Sequence, residues 1–82
     1  MLKMNFHQVK LAFNNEWISK LCDDLTDSTE FTTRNKIRVL ESLVSSIGNS
    51  LNMSYPGFKQ QRKAYLYVSN YIENELELTR YV

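Results

Sequence analysis

Few side chains in this sequence could carry covalent or proton-transfer chemistry. His7 is the sole imidazole, so a histidine-based nucleophile, acid–base pair or metal site would have to be assembled around it, near the start of the chain. A surface histidine is the simpler reading. Cys22 is the sole thiol, without a partner for a disulfide or a CxxC metal or redox pair. Beside Leu21 and Leu25 it reads as a small core residue, and the adjacent Asp23 and Asp24 would raise its thiol pKa instead of activating it. Asp23, Asp24, Asp27 and Glu30 could in principle hold Mg²⁺ or Ca²⁺, but they lack the alternate-position ligands and sharp glycine turn of a calcium loop. They read as a solvated helix end. No phosphate-cradling glycine loop, nucleophile elbow or HExxH is present, so the sequence predicts no catalytic residue, no metal and no cofactor.

Rings and charge order say more. Five Tyr, four Phe and one Trp are many for 82 residues, and four of them, Phe58, Tyr65, Tyr67 and Tyr71, fall in the last periodic segment. Tyr67 and Tyr71 stand one turn apart, off the main apolar stripe, where an amphipathic ring suits a protein interface. In the same segment Lys59, Arg62 and Lys63 come first and Glu73, Glu75 and Glu77 last, the reverse of what a helix dipole favours. Two explanations compete with a plain solvated surface. If this helix packs antiparallel on a second copy, the basic start of each lies against the acidic end of the other. The interface is then Tyr67, Tyr71, Lys59, Arg62, Lys63, Glu73 and Glu77. Alternatively Arg34, Lys36 and Arg38 join Lys59, Arg62 and Lys63 as anion sites at helix N-termini for the phosphates of nucleic acid. A net charge of +1, acidic neighbours and a long connection between the helices weigh against the second.

The elements that must position these residues are helical. Only two glycines and one proline occur, and Pro56-Gly57 is the strongest breaker. In the first segment Phe6, Val9, Phe13, Trp17, Leu21 and Leu25 recur every three or four positions, with Leu11, Ile18 and Cys22 beside them. Asn5 is a candidate cap, and Asn14-Asn15 is a weak spot where a short arm could instead precede a helix beginning near Glu16. Thr32 or Thr33 can cap a second helix, with Phe31 packing back on its first turn. There Ile37, Leu40, Val44, Ile47 and Leu51 give the cleanest heptad. After the Asn52–Gly57 turn, Phe58, Tyr65, Val68, Ile72 and Leu76 form one stripe and Ala64, Tyr67 and Tyr71 another, which suggests two contact surfaces. A short strand in the tail from Leu76 to Val82 is a minor alternative. The expected fold is all-α: one helical domain over 1–82, a three-helix protomer (about 5–26, 33–51 and 57–78) with its last two helices as a hairpin, forming an antiparallel homodimer.

Size points the same way. A chain this short buries only ~60–65% of the surface it exposes when unfolded, and with no disulfide or metal to staple it, self-association is the expected remedy. A single cysteine suits a reducing compartment, and Met1–Lys10 lacks the apolar run of a signal peptide, so the expected location is the cytoplasm. Ser42–Phe58, the longest uncharged stretch, is broken by Pro56 and Gly57 and is no membrane span.

The run Phe31-Thr32-Thr33-Arg34-Asn35-Lys36, followed by Ile37, Leu40, Leu43 and Ile47, resembles the small helical biofilm-development and acid-resistance regulators of enteric bacteria. The likeness covers roughly Ile18 to Ile72. It implies a homodimer of antiparallel helices that regulates biofilm or stress genes by binding a signalling protein or DNA. The Asn52–Gly57 connection and the ring-rich last helix depart from that pattern. Bacteriocin immunity proteins are a second architectural resemblance, without a shared motif. The sequence thus predicts a small non-enzymatic regulator acting by protein–protein binding, as a homodimer with a further protein partner, with nucleic-acid binding as the alternative.

Overall fold

Local capping fixes where the helices begin. In the computed structural model, which describes residues 4–27 and 32–79, the described residues form α1 (Phe6–Phe13), α2 (Glu16–Asp27), α3 (Thr33–Ser50) and α4 (Phe58–Thr79), with no strand. Asn5 caps α1, its Oδ1 accepting the Gln8 amide at 2.9 Å, and Thr32 caps α3 by accepting the Asn35 amide at 3.2 Å. Each satisfies one of the amides that a helix start leaves free. Before α4 the chain turns through Asn52–Gly57. Asn52 Oδ1 accepts the Ser54 amide at 3.0 Å, and the Gly57 carbonyl receives the amides of Gln60 and Gln61.

The expected first helix over 5–26 is two helices. Asn14 adopts the left-handed conformation (φ 44°, ψ 48°) and its amide closes on the Lys10 carbonyl, a position asparagine tolerates better than most residues. Asn15 then caps α2, its Oδ1 accepting the amides of Trp17 at 2.9 Å and Ile18 at 3.2 Å. The break resets the helical phase. Ile18, Leu21 and Cys22 turn inward, while Trp17, expected on the buried stripe, is 54% exposed with Lys20 beside its ring.

Each helix packs on the next, and α1 closes the ring against α4. The core comprises Val9, Ile18, Leu21, Cys22, Leu40, Leu43, Ile47, Ala64 and Val68. Gln61 is its one buried polar side chain among the described residues. Its amide nitrogen donates to the Ala12 carbonyl and its Oε1 accepts the Asn52 amide, both at 3.4 Å, so the end of α1 and the α3–α4 turn are tied to one residue. The expected hairpin of the last two helices is present, within a residue of its predicted bounds. Residues 76–79 are helical, which removes the tail strand there, and Phe31 lies outside the described residues. No described helix is long and apolar enough to cross a membrane.

Candidate protein-interaction surface

The two flanks of α4 differ in what they touch. Its inward side uses both apolar stripes of the sequence: Ala64 and Val68 are fully buried, and Tyr65, Tyr67, Tyr71 and Ile72 pack around them. Both stripes are needed because α4 meets α3 on one side and α1 on the other. Tyr67 and Tyr71 lie on the α1 side. Phe6 sets its ring edge-on to both, with centroids 5.5 and 5.2 Å away, and the two tyrosine rings are 6.1 Å apart. Burial holds the Tyr67 phenol above its ordinary pKa, with smaller contributions from Tyr71 and Cys22.

Charge meets this cluster from α3. Lys36 Nζ lies 3.0 Å from a Glu75 carboxylate oxygen and 5.3 Å from the Tyr71 ring centroid. The Glu75 hydrogen bond first, and Tyr71 second, raise its pKa. The start of α3 therefore faces the end of α4, as an antiparallel hairpin requires. This pair answers part of the charge reversal within one chain: a base near the wrong pole of α3 meets an acid near the wrong pole of α4.

The outer flank has no such answer. Lys59, Arg62, Lys63, Glu73 and Glu77 are all exposed, and the described residues offer none of them an ion pair. Leu66, 52% exposed, sits among them. Seven residues expected to form one interface are thus divided, with the two tyrosines on the α1 side of the helix and the five charged residues facing away. The six basic residues of the nucleic-acid reading are also divided. Arg34, Lys36 and Arg38 lie at the end of the hairpin where α4 finishes, and Lys59, Arg62 and Lys63 lie at the opposite end. Lys36 is committed to Glu75, while Arg34 and Arg38, both exposed, flank a shallow concavity with Ile37 and Glu41.

His7 and Asp23 border an open groove of about 520 Å³ between α1, α2 and α4, floored by Phe6, Tyr67 and Tyr71. Asp23 is held there by Lys10 at 2.7 Å, and that hydrogen bond raises the Lys10 pKa. Cys22 is fully buried, and burial, with Asp23 adding less, pushes its thiol up to about 11. No cluster of three metal-ligating side chains occurs among the described residues.

Three residues that matter here were not among the expected site residues. Phe6 and Glu75 contribute through contacts between distant segments, which no local pattern displays. Leu66 had a signal: it falls on neither apolar stripe and is flanked by charge at the helical spacing of Arg62 and Glu73. Protein-family models, curated proteins and solved structures give no match to the chain.

Proposed function

We propose that the protein is a small non-enzymatic adaptor that self-associates through the outer flank of α4 and acts by covering a surface on another protein. One observation carries the reading. The α3–α4 seam pairs its charges, Lys36 with Glu75, whereas the outer flank keeps three cations at one end and two carboxylates at the other, exposed around a leucine. A second copy running the opposite way supplies the complement to both ends at once. The sequence resemblance to biofilm and acid-resistance regulators supports a role in stress or biofilm gene control, and the lone buried thiol suits the cytoplasm.

The test is charge reversal followed by rescue, read by sedimentation. Arg62→Glu with Lys63→Glu is expected to weaken self-association by about tenfold, since exposed pairs contribute roughly 0.2–1 kcal/mol each and a two-fold axis repeats them. Adding Glu73→Lys and Glu77→Lys restores it. Association unchanged by the first pair, or not recovered with all four, overturns the reading. Binding to duplex DNA whose affinity falls by about one log unit per log unit of salt for each phosphate neutralised would favour nucleic acid as the partner instead.

A further inference from the structure

The outer flank of α4 has its own heptad, which shares only Leu76, expected on the inward stripe but 42% exposed, with the stripes read from the sequence. Lys59, Arg62, Leu66, Ser69, Glu73 and Leu76 follow one another at intervals of 3, 4, 3, 4 and 3, which places them on one stripe of the helix. Ser69 is half-buried at its edge, Leu76 is 42% exposed, and the other four are exposed. The sequence of intervals reads the same from either end. A helix with this property can lie against an antiparallel copy of itself so that every seam residue meets a seam residue.

Resting on the self-association proposed above, we infer that two copies pair as an antiparallel α4–α4 coiled coil whose two-fold axis passes level with the Tyr67–Val68 peptide. In this register Arg62 faces Glu73 of the second copy and Leu66 faces Ser69 of the second copy, each twice. Lys59 lays its aliphatic stem on Leu76 of the second copy and reaches Glu77 of the second copy with its ammonium. Lys63 borders the Arg62 contact and adds to the positive side. A parallel arrangement would instead set lysine on lysine and glutamate on glutamate, so charge selects direction as well as contact. The apolar content of the seam is small, two leucines from each copy, so the pair is weak and sensitive to salt. Tyr67 and Tyr71 stay with Phe6 inside each protomer, and the faces built by α1 and α2 remain uncovered for a further partner.

Disulfide trapping tests the register. Arg62→Cys and Glu73→Cys are made as separate single variants of the full chain, mixed and oxidised mildly, with Cys22 kept out of the reaction by its burial. The mixed disulfide is expected to exceed either same-site disulfide by about tenfold, because identical positions lie ~16 Å apart along the seam and a disulfide spans at most ~7 Å between Cα atoms. Ser69→Leu, which puts leucine opposite Leu66 twice, is expected to tighten association by about tenfold. Same-site disulfides, or none while the untreated protein sediments as a dimer, overturn the register and leave self-association standing. No tightening by Ser69→Leu also counts against the register. A wild-type protein that sediments as a monomer overturns both.

Discussion

Lys36 and Arg62 are both cations near the start of a helix, where the dipole disfavours them, yet they meet opposite fates. Lys36 reaches across the α3–α4 seam to Glu75, and its ammonium lies over the Tyr71 ring. Arg62 stands on the far side of the same hairpin, in solvent. The inward flank of α4 is complete within one chain: rings from α1, a lysine from α3 and its own tyrosines answer one another. Its outward flank repeats the charge pattern without the answers. A charge order that looks like one anomaly in the sequence is therefore two features, one paired within the hairpin and one exposed to solvent.

The same carboxylate placed on each flank separates the two most strongly. Val68→Asp buries an unpaired charge at a fully buried position and is expected to cost several kcal/mol, enough to unfold a marginal chain. Leu66→Asp, two positions earlier, is expected to change stability by no more than about 0.5 kcal/mol while weakening self-association. Thermal unfolding and sedimentation of the two variants measure the contrast, and equal losses of stability would erase it.

Removing the ring that completes the inward flank comes next. Phe6→Ala leaves Tyr67 and Tyr71 without their edge-on partner and is expected to cost about 2–3 kcal/mol, below the fully buried range because Phe6 is half-buried. Urea denaturation checks this. Sedimentation of the folded variant is expected to show unchanged pairing, since the ring lies on the other flank.

These two experiments also mark what the sequence could and could not reveal. Capping is local chemistry, so Asn5, Thr32 and the Pro56-Gly57 turn were legible, and with them the hairpin. Asn14-Asn15 was visible as a weak spot, but Phe13 and Trp17 sit four apart and imitate an unbroken helix across it. The cover that Phe6 gives Tyr67 and Tyr71, the Lys36–Glu75 pair, and the bond from Gln61 to Ala12, 49 positions away, depend on which helices become neighbours. For the seven residues expected to form one interface, what the sequence does not display is which flank of α4 each takes. The five charges lie exposed on the outer flank, whereas the two tyrosines turn toward α1.

Alkaline pH probes the core and the α3–α4 seam. The folded Cys22 thiol titrates near 11 against an ordinary 9.0, so above pH ~9 the unfolded chain loses its proton first. Stability falls from there until the folded thiol also ionises, by at most about 3 kcal/mol. The Lys36 contribution has the sign of a raised base: complete below about pH 10.5 and lost as pH climbs through its folded pKa. Cys22→Ala is expected to flatten the pH 9–10.5 part of a stability profile measured by urea denaturation. An unchanged slope would contradict the assignment.

The smallest expected effect is a gain. Gly48 lies inside α3, and a Cβ there would meet only Tyr65 Cε2 at 3.6 Å, ordinary contact. Gly48→Ala is expected to stabilise the fold by up to about 1 kcal/mol, raising the melting temperature and leaving the outer flank of α4 untouched.

Sedimentation equilibrium of the unmodified protein, across concentration and at two salt levels, tests most directly whether that outer flank pairs two copies. At low salt the mass is expected to climb with concentration from the 9.7 kDa of one chain toward twice that value. In about 0.5 M salt, where charges are screened beyond roughly 4 Å, it should fall back toward one chain. A single-chain mass at every concentration, or a dimer indifferent to salt, would contradict the account.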